Sequence, residues 1–304
     1  MLIDALHAYL SIRRKLGYKL KSHEKYLRHY IEYAIERGDN YVVSKTAIDW
    51  ASKGASANAR ARRLSILIQF ALFLHAEDER HEVPPDKVFC SRRHRRRPYI
   101  FTDQEIVQLI MQSKRLGPSN SLRPLTYSTL LGLLASTGLR ISEALSLRLA
   151  DITADGLFIR ETKFRKSRIV PLHPTAIDAL NRYLDHRRRL RSSDDHVFVS
   201  HDEAKKITYN RVAKIFRQLL QDVGINPQGD EPRPRLHCLR HSFATKALRS
   251  CPDSRDRVTR HMLAISTYMG HIDIKSTYWY LETTPELMND IANACQAFMQ
   301  KEVT

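Results

Sequence analysis

Apolar residues recur three and four positions apart through residues 1–89, the spacing that places them on one face of a helix. Short polar stretches divide this pattern into separate helices. Ser22 is the expected N-cap of the second helix, and Gly38 is its expected end. The pattern predicts a helical domain over residues 1–89, with helices over 4–18, 22–38, 44–50 and 58–76.

The stretch that follows loses this periodicity and becomes strongly basic. Residues 83–100 contain prolines, which interrupt helices, together with five arginines. We interpret residues 90–98 as an interdomain linker that lies along the phosphates of a nucleic acid. The alternative is a solvated tether that contacts nothing. The arginines expected to bind DNA are Arg92, Arg93, Arg95, Arg96 and Arg97.

Helical spacing resumes after the linker and continues to the end of the chain. Thr102 and Glu105 have the spacing of a capping box, so a helix is expected from Thr102 through Met111. Two helices are expected between residues 123 and 152, broken near Thr137–Gly138. The later helices are expected over 174–191, 208–223, 238–249, 254–268 and 285–300.

Within this second region the apolar period changes from helical to that of short strands. Residues 152–160 indicate two strands joined by a turn at Asp155–Gly156, and residues 167–172 supply a third. The predicted fold is therefore mainly α, with a small three-stranded antiparallel sheet, in two domains. Residues 99–304 form the second domain, of mixed α+β structure.

Composition points to a polyanionic partner. Fifty lysines and arginines against 33 acidic residues give a formal net charge of +17, and the arginines come in blocks. Nucleic acid is the expected partner; a merely basic surface is the alternative. The longest apolar run, residues 64–76, is too short to cross a bilayer, and the start of the chain lacks the apolar core of a secretory signal. Four scattered cysteines are typical of a reducing cytosol, so a cytoplasmic protein is expected.

Basic and hydroxyl side chains in the second region suggest phosphoryl transfer. Arginine forks can hold two phosphate oxygens at once and keep their proton. Lysine and histidine can deliver a proton near neutral pH, and a tyrosine in cationic surroundings can attack as a nucleophile. The residues that stand out are Arg140, Lys163, the cluster of His237, Arg240 and His241, and a segment that holds His271 and the aromatic residues Tyr278, Trp279 and Tyr280.

The segments TGLRISE, LHCLRHSFAT and MGHIDIKSTYWY resemble the three signature boxes of the tyrosine recombinases, the phage-integrase and Xer-type enzymes. The resemblance covers the chain from about Thr102 onward. It implies that the arginines of the first two boxes and His237 cradle the scissile phosphate, with His271 assisting. The family's nucleophile stands nine residues after that histidine, which selects Tyr280 over Tyr278. The residues assigned in this way are Arg140, Lys163 as proton donor, Glu143 as a supporting residue, His237, Arg240, His271 and Tyr280.

The same resemblance implies the chemistry and the partners. Tyr280 would form a 3′-phosphotyrosyl bond and release a 5′-hydroxyl, so that neither a metal nor another cofactor is needed. Double-stranded DNA with specific recombination sites is the implied substrate, in the integration, excision or transposition of a mobile element. A dimer on one site, a tetramer in the synapse, an accessory recombinase and association with the nucleoid are further expectations. The last helix would dock on a neighbouring protomer; its apolar positions fit an ordinary helix packed within its own chain equally well.

Several alternatives stay open from the sequence. His237, Cys238 and His241 could bind zinc, although no further ligands complete such a site; otherwise His241 packs within the domain. The lysine turn lacks the glycines common in the family, so Lys166 competes with Lys163. A type IB topoisomerase or telomere resolvase would use nearly the same residues, and a catalytically idle regulator would bind DNA without cutting it.

Overall fold

The fold is described from a computed structural model. It describes residues 2–89, 97–118, 120–160, 167–229, 231–249 and 255–270. The chain divides into two compact units, residues 1–95 and 96–304. The expected C-terminal helix over 285–300 and the linker arginines Arg92, Arg93, Arg95 and Arg96 lie outside the described residues; Arg97 is described and is exposed.

The first unit is helical, and its helices pack around one apolar core. Leu6, Leu27, Trp50, Leu67 and Phe70 are fully buried in that core. Burial of the apolar face of each helix is what stabilises helices of this length. The helices are α1 (Leu2–Lys15), α2 (Lys21–Ile35), α3 (Ser44–Ser52) and α4 (Ala57–His75).

The predicted N-cap of α2 is wrong. The cap position is Leu20, which adopts a left-handed backbone with φ 44°, and its side chain makes no capping bond. Ser22 therefore lies inside the first turn of the helix rather than before it. A serine caps α4 instead, because Ser56 accepts a hydrogen bond from the amide of Ala59 at 3.2 Å.

The second unit combines helices with a small sheet, which confirms the predicted fold class. The predicted capping box is also present, since Thr102 and Glu105 bond each other's backbone amides. The elements are α5 (Asp103–Ser113), α6 (Arg123–Thr137), α7 (Ile141–Ala144), a 3-10 turn (Leu149–Asp151), β1 (Ile152–Thr153), β2 (Gly156–Ile159), β3 (Arg168–Val170), α8 (Pro174–Arg189), α9 (Tyr209–Asp222), α10 (Leu236–Arg249) and α11 (Arg255–Met269).

The sheet is antiparallel in the order β1-β2-β3, with Leu157 opposite Val170. Gly156 belongs to β2, because it pairs with Thr153 and its carbonyl accepts a bond from the Thr153 hydroxyl at 2.8 Å. The turn therefore precedes Gly156, one residue earlier than predicted. Leu157 and Val170 are fully buried, so one face of the sheet belongs to the core.

Helix α6 lies at the centre of the second unit, packed against α5, α8 and α10. Ten of its fifteen residues are buried, which explains why its apolar residues do not follow a single stripe. Helix α10 begins at Leu236, two residues earlier than predicted, because the buried Leu236 already packs in the core. His237 consequently lies in the first turn of α10. No helix among the described residues is long and apolar enough to cross a membrane.

Candidate active site

Three arginines from different elements hold consecutive backbone carbonyls where α11 ends. The Nε atom of Arg168 in β3 donates to the carbonyl of Tyr268 at 2.7 Å. Nη2 of Arg240 in α10 donates to the carbonyl of Met269 at 2.8 Å. Nη2 of Arg140, which directly precedes α7, donates to the carbonyl of Gly270 at 3.1 Å. These contacts bring the first two sequence boxes to the start of the third.

Arg240 is almost completely buried, with only 2% of its surface exposed. Besides its bond at the end of α11, its Nη1 donates to the carbonyl of Gly138 at 2.7 Å. Gly138 ends α6 in the left-handed conformation, with φ 60°, and Phe243 of α10 packs directly on it. A β-carbon at that position would stand 2.4 Å from the Phe243 ring. The chain therefore needs glycine here, both for the backbone turn and for the close approach of α6 and α10.

Arg140 and Glu143 are joined through one turn of backbone. The Glu143 carboxylate accepts from the Arg140 amide at 3.0 Å and from its Nη1 at 2.7 Å. The Arg140 side chain keeps 30% of its surface exposed, so it can still face a ligand. Glu143 thus fixes the direction of the guanidinium without removing it from solvent.

Arg168 completes the bonding of the same carboxylate. Its Nη2 and Nη1 donate to the two oxygens of Glu143 at 2.9 and 3.3 Å. Burial raises the pKa of Glu143, but the hydrogen bonds and positive charge of Arg168, with the bonds from Arg140, outweigh burial and lower it. Glu143 is therefore a carboxylate at neutral pH.

His237 stands at the edge of this group and is exposed. Its ring meets that of His241 edge to face, with ring centres 4.7 Å apart. Although part of the side chain is exposed, neighbouring protein atoms remove water from the ring, and this loss, with the positive charges of Arg240 and Arg140, lowers the pKa of His237 against the opposing charge of Glu143. The ring is consequently neutral in the DNA-free protein at physiological pH.

The charges at this point do not cancel. Arg140, Arg168 and Arg240 carry three positive charges, and Glu143 carries one negative charge. A phosphate is the natural ligand of such a surplus, because guanidinium groups bind its oxygens bidentately. The arrangement can hold a phosphate and stabilise the extra negative charge of a five-coordinate transition state.

The structure brings together four of the residues chosen from the sequence, namely Arg140, Glu143, His237 and Arg240. Lys163, its rival Lys166, His271 and Tyr280 lie outside the described residues. Sequence reasoning missed Arg168. The available signal was a charged residue beginning the otherwise apolar strand RIV, but nothing local identified its partners, which are 25 and 100 residues away.

The described residues include one group of three metal-ligating side chains close together, Asp194, Asp195 and His196. Asp194 and His196 are hydrogen bonded to each other at 2.6 Å, and Asp195 pairs with Arg148 at 2.7 Å. Within the same described part of the chain, His237, Cys238 and His241 do not form a group of this kind.

A basic concavity of about 300 Å³ lies between α6 and α9. Its lining includes Arg123, His201, Arg211 and Lys214, of which Arg211 is paired with Asp202. This concavity adds positive charge to the surface of the same unit.

Comparison with known proteins assigns the chain to a family. Residues 100–286, more than half of the chain, match the model of the phage integrase family. A protein of Sinorhizobium fredii named as an integrase/recombinase, y4rB, is 33% identical over 297 residues, which cover 94% of each chain. The tyrosine recombinase XerD of Rhizobium meliloti is 29% identical, over 79% of this chain and 75% of its own.

Solved structures with the same fold include the XerH site-specific recombinase bound to a palindromic difH substrate in a post-cleavage complex. The TM-score is 0.65 at 16% identity, and the match covers 89% of this chain and 77% of XerH. At this level of identity the likeness establishes the fold.

Proposed function

The chain belongs to the phage integrase family and is a tyrosine-type, site-specific DNA recombinase, and we propose that it cleaves and rejoins strands through a 3′-phosphotyrosyl bond made by Tyr280. The observation that carries this proposal is the convergence of Arg140, His237 and Arg240, supported by Glu143, where the third sequence box begins. These residues form a site with surplus positive charge, suited to a phosphate.

In the first step the phenolic oxygen of Tyr280 attacks the scissile phosphorus and loses its proton. The bond from phosphorus to the 5′-oxygen breaks, and Lys163 supplies the proton that the leaving oxygen needs. In the second step the 5′-hydroxyl of the partner strand attacks the phosphotyrosine, so the tyrosine leaves and the strand is rejoined. The number of phosphodiester bonds is unchanged, and no external energy source or other cofactor is required.

The arginines stabilise the transition state rather than transfer protons. Arg140 and Arg240 donate to the non-bridging oxygens, on which negative charge accumulates as the phosphorus becomes five-coordinate. Both are already held by bonds to the end of α11 and by Glu143 or Gly138, so little reorganisation accompanies the reaction. His237 adds a donor once the phosphate has raised its pKa.

We propose that the chain is organised into two domains joined by a linker. Residues 1–89 form a core-binding domain, residues 90–98 a basic linker along the DNA backbone, and residues 99–304 the catalytic domain. Exchange between two duplexes breaks four strands, so four protomers, two on each site, supply one nucleophile each. We propose that the enzyme moves a mobile element in the cytoplasm, at the nucleoid, with an accessory recombinase as a further partner.

A strand-exchange assay tests the proposal. Two duplexes of different length, each carrying the end of the element that flanks the gene, are incubated with the protein in EDTA, and recombinant lengths are measured. Recombinants that disappear with Tyr280→Phe are expected. Relaxation of a supercoiled plasmid without recombinants would indicate a type IB topoisomerase, and hairpin ends a telomere resolvase. Site-specific binding without any cleavage would indicate an idle regulator, and loss of activity in EDTA would indicate zinc chemistry.

A further inference from the structure

Arg168 lies outside the three sequence boxes, yet it is bonded to residues of the candidate active site. Its guanidinium spans both oxygens of Glu143, and its Nε holds the carbonyl of Tyr268. The Arg168 side chain is 10% exposed and that of Glu143 is 8% exposed. The bonds described for Arg168 go to Glu143 and to the Tyr268 carbonyl, so its effect on the site passes through these neighbouring residues.

The first consequence concerns the charge of Arg140. The Glu143 carboxylate, whose side chain is 8% exposed, faces the Arg140 guanidinium at 2.7 Å. With no second cation, this carboxylate would offset the positive charge that Arg140 presents to a phosphate. Arg168 supplies that second cation, so Glu143 can orient Arg140 and the pair of arginines still retains a net positive charge.

The second consequence concerns the backbone at the end of α11. Gly270 has φ +66°, and a β-carbon there would stand 2.7 Å from Nη1 of Arg168. Arg168 cannot easily move aside, because its other nitrogens are held by Glu143 and by the Tyr268 carbonyl. The closely packed Arg168 guanidinium thus fixes the backbone of Tyr268–Gly270, which leads into the third box.

We propose that Arg168 is a positioning residue for DNA cleavage, which neutralises Glu143 so that Arg140 keeps its charge for the scissile phosphate and which holds the backbone entering the third box. This inference rests on the proposed recombinase function. It assigns to β3 a direct role in assembling the site.

The test measures three properties of the full-length protein. They are the single-turnover rate of covalent complex formation on a nicked duplex from the element's end, the affinity for the intact duplex, and the melting temperature. Arg168→Met is expected to keep DNA affinity within a few-fold and to slow covalent complex formation by about 100-fold or more, the scale of losing a preorganised electrostatic contact. Where methionine prevents folding, Arg168→Gln replaces it, since its amide can still donate to Glu143 but carries no charge.

A matched control comes from another buried arginine. Arg187 in α8 is 4% exposed and donates to the carbonyls of Asp194, His196 and Val197. It makes none of the Arg168 contacts described above. Arg187→Met is expected to lower the melting temperature while leaving the cleavage rate of the folded protein within a few-fold of the wild type. An equal loss of cleavage in both variants would overturn the positioning role.

The decisive comparison removes both partners of the ion pair. If Arg168 acts by neutralising Glu143, the double variant Glu143→Gln/Arg168→Met must cleave faster than Arg168→Met alone, because no carboxylate then opposes Arg140. A role in stability alone predicts the opposite, with the two losses adding. A double variant slower than both single variants, or wild-type cleavage by Arg168→Met, would overturn the inference.

Failure of this inference and failure of the proposed function give different results. If the wild type forms no adduct that depends on Tyr280, the recombinase mechanism itself fails. If the wild type forms that adduct and Arg168→Met forms it equally fast, only the role of Arg168 is refuted.

Discussion

At the scale of single residues, the candidate site depends on side chains whose partners are remote in the sequence. Arg140 and Arg240 could be identified only because their sequence boxes resemble those of a known family; alone, Arg140 would be interpreted as a surface arginine. Their bonds to the carbonyls of Gly138, Met269 and Gly270 could not be predicted, since no local pattern encodes a contact across 29 to 130 residues. The role of Arg168 could not be predicted for the same reason.

His237 gives the site a predicted dependence on pH. Its pKa is lowered in the free protein by desolvation and by Arg240 and Arg140. A bound phosphate opposes those charges and raises the pKa again, so DNA binding takes up a proton. Binding that takes up a proton strengthens as the pH falls, here by at most about tenfold per pH unit for one residue.

The measurement is duplex affinity between about pH 8 and pH 6, where histidines titrate. His237→Gln should give a flatter dependence than the wild type. Parallel curves for His237→Gln and the wild type would contradict a phosphate contact at His237.

At the scale of elements, periodicity predicted the long helices, but it could not locate their ends. Helix α2 begins after a left-handed Leu20, and α10 begins two residues earlier than predicted, at Leu236. Such ends depend on backbone conformations and tertiary packing that side-chain spacing does not specify. The strands are two to four residues long, too short for a clear alternation, which explains the one-residue error at Gly156.

The packing of α6 against α10 yields a prediction at this scale. Gly138→Ala should lower the free energy of unfolding by about 2 kcal/mol or more, because a left-handed alanine costs about 1–2 kcal/mol and its β-carbon would also clash with Phe243. Cleavage should fall as well, since the Gly138 carbonyl positions Arg240.

Gly132→Ala is the matched control within the same helix. A β-carbon at Gly132 meets only the side chain of Ile110, at an ordinary 3.9 Å. This change should raise stability by about 0.5–1 kcal/mol, the usual gain of alanine over glycine inside a helix. Chemical denaturation of both variants measures the difference, and equal stabilities would contradict the packing described here.

At the scale of the whole molecule, charge rather than fold first indicated the substrate. A net charge of +17 predicts DNA binding that weakens steeply with salt. Changing Arg92, Arg93, Arg95, Arg96 and Arg97 to glutamine should reduce the slope of log affinity against log salt by about 0.9 for each phosphate that these side chains no longer neutralise. The five corresponding lysine substitutions should keep the slope. An unchanged slope in the glutamine variant would show that the linker is a solvated tether that does not contact the phosphates.

Tyr280 is the residue proposed to carry the cleaved strand, and trapping of the covalent complex tests that assignment. A nicked suicide duplex from the end of the element is incubated with the full-length protein in EDTA, and covalent complexes are detected after boiling in detergent. An adduct is expected with the wild type and with Tyr278→Phe, and none with Tyr280→Phe, although all three bind the duplex. An adduct that persists in Tyr280→Phe, or that is absent only in Tyr278→Phe, would contradict it.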